Sequence, residues 1–362
     1  MLVALFLNML SYWNFKDMKG LLKDSKKLLL IKLRYIGDSI WMIPVINNLK
    51  QNYPNLKISV LVNEGTEIFF HFNPFVDEVI AFPRSKIKGK RGFLNFLKFI
   101  CSLRKKGFDS IIDLTDADRP ALISFLSGAR VRISYNNEKR WRRHLYTHCC
   151  KTKINTKHMV EYHLSLLQEL GLKIFDRFVK LNLPKGIFEG LYQKVPKLFA
   201  TSKKRRLLVH PGARNPLRQW GVENFTKVCK MAAAKYSILL VGGPNEKTLI
   251  EDIAKKLDFK PLLTTTRLNL LELAALCKHV DLFLGNDTAP LHIAAAMGTF
   301  VIGIYGPTIA KIAGPWTDKK IIFEGKKPPC CPCRQDKCLN PKFKACLSII
   351  KPEIVASTLN RL

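Results

Sequence analysis

Two acidic residues of this 362-residue chain stand where a carboxylate has chemistry to do. Asp287 follows the apolar residues 280–284 and Gly285-Asn286, and it precedes Thr288-Ala289-Pro290-Leu291-His292, an alanine-rich run and Gly298. The order reads as a strand, a tight polar turn and a helix with proline in its first turn and glycine past its end. Such a turn sets unpaired backbone N–H groups and the positive end of a helix beside an acid, which suits a phosphorylated ligand that also carries hydroxyls. Asp38 sits in a similar place: residues 28–33, apolar apart from Lys32, run into Arg34-Tyr35-Ile36-Gly37-Asp38-Ser39. A plainer role exists for both, because Asn, Asp and Thr at these positions also cap helices. One such turn in each half of the chain points to a ligand cleft formed by two sheets.

The elements that would position these acids alternate in type. Strands are expected at 28–33, 58–62, 78–82 and 110–114, with helices at 40–52, 64–72, 93–106 and 158–170. After a Lys-rich stretch with little pattern, taken as a hinge at 184–206, the alternation resumes. Strands fall near 207–209, 237–241, 261–263, 280–284 and 301–305, and helices at 221–235, 247–257 and 270–278. Strand and helix in turn imply parallel, doubly wound sheets. The reading divides the chain into an apolar extension (1–25), a first α/β domain (26–183), the hinge, and a second α/β domain (207–362). The helix at 93–106 is expected to bury Leu94, Leu97, Ile100 and Cys101.

The length allows two full cores, and 47% hydrophobic content excludes a disordered chain. A formal charge of +32 calls for an acidic partner: nucleic acid, an anionic membrane or a phosphorylated substrate. The cations concentrate at Arg84, Lys86, Lys88, Lys90 and Arg91 and again at Arg130, Arg132, Lys139, Arg140, Arg142 and Arg143, with Trp141 and Tyr146 placed to stack on bases or lie among lipid headgroups. No run of about 20 apolar residues is present to span a bilayer, so a soluble or peripheral protein is expected. Residues 1–15 are uncharged and mostly apolar but lack the pattern of a signal peptide. Leu2, Phe6, Met9, Leu10 and Trp13 would share one helical face, a candidate interfacial helix. Of ten cysteines, five gather at Cys330, Cys331, Cys333, Cys338 and Cys346. Their spacing fits no standard four-ligand zinc pattern, which favours a plain loop clamp over a structural metal.

Ligands of open parallel sheets bind beyond the carboxyl ends of the strands. In the second half those ends carry His210-Pro211-Gly212-Ala213-Arg214, Gly242-Gly243-Pro244-Asn245-Glu246, Asn286-Asp287-Thr288 and Gly306-Pro307-Thr308. Glycines such as Gly242 allow close backbone approach, Glu246 is suited to accept from ribose hydroxyls, and Arg214 and Arg218 to face a diphosphate. The set describes a nucleotide site, although no Gly-x-Gly-x-x-Gly follows a strand and no Gly-Lys-Ser/Thr occurs.

This constellation resembles family 9 glycosyltransferases, the ADP-heptose:lipopolysaccharide heptosyltransferases. The resemblance covers residues 26 to the C-terminus. It rests on Leu-Leu-Ile-Lys-Leu-Arg-Tyr-Ile-Gly-Asp (29–38), His-Pro-Gly-Ala-Arg (210–214) with Arg218-Gln219-Trp220, Val-Gly-Gly-Pro-Asn-Glu (241–246), Gly-Asn-Asp-Thr-Ala-Pro-Leu-His-Ile-Ala-Ala-Ala (285–296) and Tyr-Gly-Pro-Thr (305–308). It implies a GT-B fold, two Rossmann-like domains facing a central cleft, with the acceptor on the first and ADP-heptose on the second. It implies inverting transfer without a catalytic metal or other cofactor, onto the phosphorylated lipid A core, by a cytoplasmic protein peripheral to the anionic inner face of the inner membrane.

By position, Asp38 matches the general base and Arg218 the cation that neutralises the departing diphosphate. Asp287 matches the acid that holds the sugar hydroxyls, the N–H groups of Thr288 and Ala289 would receive phosphate, and His292, Glu246, Gly242 and Arg214 complete the donor set. Gly37, Arg119, Arg140, Arg142 and Arg143 fall to the acceptor. Two departures from the family pattern bear on the donor: Ala289 replaces a common glycine, and Arg218 replaces a lysine. Asp116-Ala117-Asp118 matches the Asp-x-Asp of metal-dependent sugar transferases but lies on the acceptor side. The alternatives are a GT-B enzyme using another nucleotide sugar and a basic nucleic-acid-binding protein. Against the latter, no helix-turn-helix, zinc-finger or RRM signature appears, so nucleic acid is not expected as a partner.

Overall fold

The computed structural model describes residues 18–362 apart from 88, 90, 136–139, 155, 200–203 and 327. The interfacial helix expected at 1–15 therefore lies outside the described residues. The chain forms two compact units, Met1–Arg177 and Phe178–Leu362. The division precedes the stretch 184–206 read as a hinge, and that stretch carries a helix packed within the second unit.

The first unit runs β1 (Lys27–Lys32), α1 (Ile36–Ile40), α2 (Ile43–Asn52), β2 (Lys57–Asn63), β3 (Glu78–Phe82), α3 (Gly92–Lys105), β4 (Ser110–Asp113), α4 (Asp118–Leu126), β5 (Val131–Tyr135), β6 (His148–Cys150) and α5 (Met159–Glu169). All its strands pair in parallel, in the order β3-β2-β1-β4-β5-β6. Leu29 and Ile31 of β1 join Leu61, Ile100, Leu103 and Ile123 in one cluster. Leu28 and Leu30 point to the other face by strand alternation and are equally buried, so both faces of the sheet are covered.

The second unit runs α6 (Ile187–Lys194), β7 (Arg205–His210), α7 (Val222–Ala232), β8 (Tyr236–Val241), α8 (Lys247–Lys256), β9 (Leu263–Thr265), α9 (Leu270–Cys277), β10 (Leu282–Asn286), α10 (Ala289–Ala296), β11 (Phe300–Tyr305), α11 (Ala310–Ala313), β12 (Lys320–Glu324), α12 (Ala345–Ser348) and α13 (Pro352–Arg361). Its parallel sheet is ordered β12-β11-β10-β7-β8-β9. Numbered from its own first strand, this is the same 3-2-1-4-5-6 order as the first sheet. Each therefore reverses direction between its first and fourth strands, β1/β4 and β7/β10, where a crevice opens at the strand ends.

Three local expectations are corrected. The helix read at 40–52 is two helices, because Pro44 has no N–H to give the carbonyl of Ile40 and its ring crowds that carbonyl. Asp38 thus rides on a separate short helix. The stretch 64–72 holds only a single 3₁₀ turn, Glu67–Phe69, rather than a helix. On α3 the packed residues are Phe96, Phe99, Ile100 and Leu103. Leu94, Leu97 and Cys101 face outward, with Phe93 69% exposed.

Candidate functional site

In the second unit the residues that follow β7, β8, β10 and β11 converge. Asn286 ends β10, and its amide donates to the carbonyls of Pro211 (2.7 Å) and Gly212 (3.2 Å), while its Oδ1 accepts from Trp220 N–H. This tie fixes the loop after β7 against the turn after β10. Asn215 caps the 3₁₀ turn Pro216–Arg218 by accepting from Leu217 N–H. The turn aims Arg218 at Asp287, where Nη1 stands 3.0 Å from Oδ2 and donates to the Asp287 carbonyl at 3.3 Å.

Asp287 does not cap the helix that follows it. The N-cap of α10 is Thr288, which makes no side-chain capping bond. The Asp287 carboxylate instead accepts from Thr308 Oγ1 at 2.7 Å and lies 3.6 Å from His292 Nε2. Burial works against its charge, but the bond from His292, the Arg218 guanidinium and the Thr308 hydroxyl outweigh burial and hold the carboxyl below its usual range. His292, open to a core role in the sequence, thus serves Asp287. The backbone N–H groups of Thr288 and Ala289, at the N-cap and first position of α10, have no partner among the described residues.

A second acid lies beside the first loop. Glu246 Oε2 is 3.3 Å from His210 Nε2 and accepts from Gly243 N–H at 2.7 Å. Burial disfavours its charge, yet His210 and the Gly243 N–H prevail and lower its pKa. The carboxylate occupies the space that a Cβ on Gly212 would take, 1.9 Å from Oε1, so glycine is required there while Glu246 keeps this place. Gly242 lies against the Glu246 stem, and His210 Nδ1 is buried without a partner among the described residues. Arg214 is exposed on the loop after β7.

Gln335 stands outside every motif of the sequence, yet it joins the site. Its Oε1 accepts from Arg218 Nε at 2.6 Å, and its carbonyl accepts from Asn215 Nδ2 at 2.9 Å. The cysteine-rich loop that carries it lies against the same site: Cys333 N–H bonds to Pro307 O, and Lys344 Nζ to Gln219 O. All ten cysteines are free thiols; the five of the cluster line a small cavity with Leu217 and Pro307. Among the described residues no three His, Cys, Asp or Glu side chains form a group that could hold a metal. With Nε given to Gln335 and Nη1 to Asp287, Nη2 of the Arg218 fork has no partner among the described residues, and the side chain is 32% exposed. A guanidinium, free N–H groups and a buried acid held ionised suit a sugar joined to a diphosphate.

In the first unit Asp38 lies in the first turn of α1, half-buried, next to buried Gly37. No hydrogen bond or ion pair engages its carboxylate among the described residues. The cations expected at the acceptor separate into two kinds. Arg119, Arg140 and Arg143 are exposed. Arg142 is buried, with Nε 2.9 Å from Asp116 and Nη1 3.5 Å from Asp118, so its charge is neutralised inside the fold and it is not a surface cation for a ligand. The same contacts explain the Asp-x-Asp string as ion-pair partners. Tyr146, read as a stacking residue, is buried and donates to Asp113 Oδ2 at 2.6 Å, whereas Trp141 is 54% exposed.

A family model described as glycosyltransferase family 9 (heptosyltransferase) matches residues 96–344. Lipopolysaccharide heptosyltransferase 3 of Escherichia coli K12 is 30% identical over 338 residues, which span 91% of this chain and 96% of that protein. Lipooligosaccharide heptosyltransferase 2 of Campylobacter jejuni is 26% identical across 91% of this chain and 95% of its own. A family 9 glycosyltransferase structure from Veillonella parvula matches with a TM-score of 0.77 at 21% identity, over 95% of this chain and 98% of that one. E. coli heptosyltransferase WaaC with ADP gives 0.71 at 17%, over 92% and 99%. The two parallel α/β units thus follow the GT-B heptosyltransferase architecture, as the sequence motifs led one to expect. With a family match over most of its length and a relative similar from end to end, the chain belongs to glycosyltransferase family 9, the heptosyltransferases.

Proposed function

We propose that the protein transfers heptose from ADP-heptose to the inner core of lipopolysaccharide, with inversion and without a catalytic metal. The observation that carries this reading is the buried Asp287 paired with Arg218 at 3.0 Å beside the open N–H groups that begin α10. Relatives named for lipopolysaccharide heptosyl transfer, and related structures holding ADP or an ADP-heptose analogue, support the choice of substrates.

In this reading the C-terminal unit binds the donor. Asp287 accepts from hydroxyls of the sugar; the N–H groups of Thr288 and Ala289 receive phosphate; Glu246 takes the ribose. Arg218, with Arg214 four residues earlier in the chain, meets the charge that builds on the diphosphate as the glycosidic bond breaks, which is where fixed donors help most. The N-terminal unit binds the acceptor, near Gly37 and through Arg119, Arg140 and Arg143. Asp38 takes the proton from the attacking hydroxyl, a step typically contributing 10²–10⁴-fold.

The membrane side of the reading is supported by α3. Phe93, Leu94 and Leu97 are exposed on it, and Arg91, Lys98, Arg104 and Lys105 lie close in sequence. Apolar residues bordered by cations fit the anionic cytoplasmic face of the inner membrane. No helix among the described residues is long and apolar enough to cross a membrane. The reading is tested by mass spectrometry of the product formed from ADP-heptose and defined core oligosaccharides, with proton NMR of the new anomeric centre. Asp38→Asn is expected to lower turnover by at least about a hundredfold; turnover near that of the parent enzyme would refute Asp38 as the base.

A further inference from the structure

The loop that joins β12 to α12 carries a group of thiols for which the transfer reaction has no use. Cys330, Cys331, Cys333, Cys338 and Cys346 line a cavity of about 50 Å³ as free thiols, and none of them is fully buried. Two are tied to nitrogen donors: Cys330 Sγ accepts from Asn340 Nδ2 at 3.6 Å, and Cys338 Sγ from Lys344 N–H at 3.4 Å. The Cys331 thiol instead hydrogen-bonds to the sulfurs of Cys346 and Cys330. Consecutive Cα atoms stand about 3.8 Å apart, short of the roughly 4.4 Å that an unstrained disulfide needs, so Cys330 is a poor partner for Cys331. Cys346 is a good one.

Both ends of this pair are anchored. Cys346 sits on α12, whose Leu347 is buried in a core cluster of the second unit, and its sulfur lies against the turn after β11, where a Cβ on Gly306 would come within 3.2 Å of it. Near the other end, Cys331 N–H bonds to Pro328 O at 2.9 Å and Cys333 N–H to Pro307 O at 3.3 Å. Between them lies Gln335, with φ 64°, a left-handed conformation that is costly for a residue with a side chain. This strained residue is the one that braces Arg218 and Asn215. A covalent link across the base of the loop would remove the relaxed conformations that compete with it.

We infer that Cys331 and Cys346 are a site of reversible disulfide modification, whose oxidised form clamps the Gln335 loop against Arg218. The oxidant is a small disulfide such as glutathione disulfide. The Cys346 thiolate attacks one of its sulfurs and expels a thiolate, and the Cys331 thiolate then displaces the second. Two protein S–H groups and one small disulfide thus become one protein S–S bond and two small thiols, which carry away the two protons. Burial and the neighbouring thiols push Cys331 up to about 12, whereas at Cys346 the bond received from Cys331 works against burial, so Cys346 is the first to attack. The pairing holds whether or not the protein transfers heptose.

The test equilibrates the full chain in glutathione buffers from reducing to oxidising, quenches with acid, alkylates the remaining thiols and maps the tryptic peptides by mass spectrometry. Trypsin cuts after Arg334, Lys337 and Lys344, which puts Cys331, Cys338 and Cys346 on separate peptides. Two thiols should disappear together, with a cross-link from Cys346 to the peptide of Cys330, Cys331 and Cys333. Cys331→Ser should abolish this link, and neither Cys330→Ser nor Cys333→Ser should. Oxidation should slow amide hydrogen exchange across residues 331–346 at least roughly tenfold, and reduction should restore it. Full alkylation of the cluster in the most oxidising buffer, a link to Cys338, a link that survives Cys331→Ser, or exchange unaltered by oxidation overturns the inference. So does protection of the thiols by added zinc without any cross-link in glutathione, which would make the cluster a metal site.

Discussion

Replacing Asp113 by asparagine should stabilise the protein at neutral pH, although it removes a hydrogen-bonded acid. Asp113 ends β4 with no solvent exposure, bonded by Tyr146 Oη at 2.6 Å and by Thr115 N–H at 2.7 Å. Burial pushes its pKa up to about 6; the bonds from Tyr146 and Thr115 only partly offset this, and Asp116 adds to the rise. An unfolded chain would ionise it near 3.9. The folded state therefore holds the proton more tightly, and the associated stability is present below about pH 4 and lost as pH rises through about 6.

A rise of about two units corresponds to about 3 kcal/mol as an upper bound. Asparagine reproduces the donor and acceptor of the protonated acid, with its N–H₂ toward Tyr146 Oη and its carbonyl toward Thr115 N–H. Asp113→Asn should therefore match the parent near pH 4 and exceed it by up to about 3 kcal/mol at pH 8. Urea unfolding of the full chain at pH 4 to 8, followed by hydrogen exchange of peptides from β1, β4 and β5, reads the first unit separately. A difference that stays flat across that range, or a variant less stable at pH 8, would show that Asp113 is not buried against its charge.

Gln335→Met, similar in length but without the amide, frees one edge of the Arg218 fork and should lower kcat roughly tenfold while leaving acceptor KM unchanged; an unaltered kcat would mean that Arg218 needs no brace. Gly212→Ala puts a methyl where the Glu246 carboxylate lies and should expel it from His210 and Gly243 N–H. Calorimetry should then show ADP affinity reduced roughly tenfold, and native affinity would exclude Glu246 from the donor site. Arg142→Met leaves Asp116 without its buried partner and should cost about 3 kcal/mol or more in thermal unfolding; a loss below about 1 kcal/mol would mean that water reaches the pair.

The strands that carry the site were legible because uninterrupted apolar runs such as Leu28-Leu29-Leu30-Ile31 and Leu282-Phe283-Leu284 admit few readings other than a strand buried on both faces. Asp38, Arg218 and Asp287 could be named because glycine, proline and polar residues punctuate those runs. Other features left no local mark. α3 is apolar on much of its circumference, so periodicity could not separate Phe96 and Leu103 from the exposed Leu94 and Leu97. Arg142 reads like its neighbours, and only the fold shows that two acids some 25 residues earlier neutralise it. β5 and β6 are short and carry charged or polar residues, which hid them. Gln335 lies in a stretch of cysteines, prolines and lysines without period, and its bond to Arg218 spans 117 positions of sequence.

Each unit closes its own sheet. The halves are accordingly interchangeable parts in the engineering sense. A chimera joined between Arg177 and Phe178, taking its latter half from another member of the family, would keep each parallel sheet whole. On the proposed division of donor and acceptor between the units, selectivity for the incoming nucleotide and for the glycan that accepts the sugar would then be inherited from different parents.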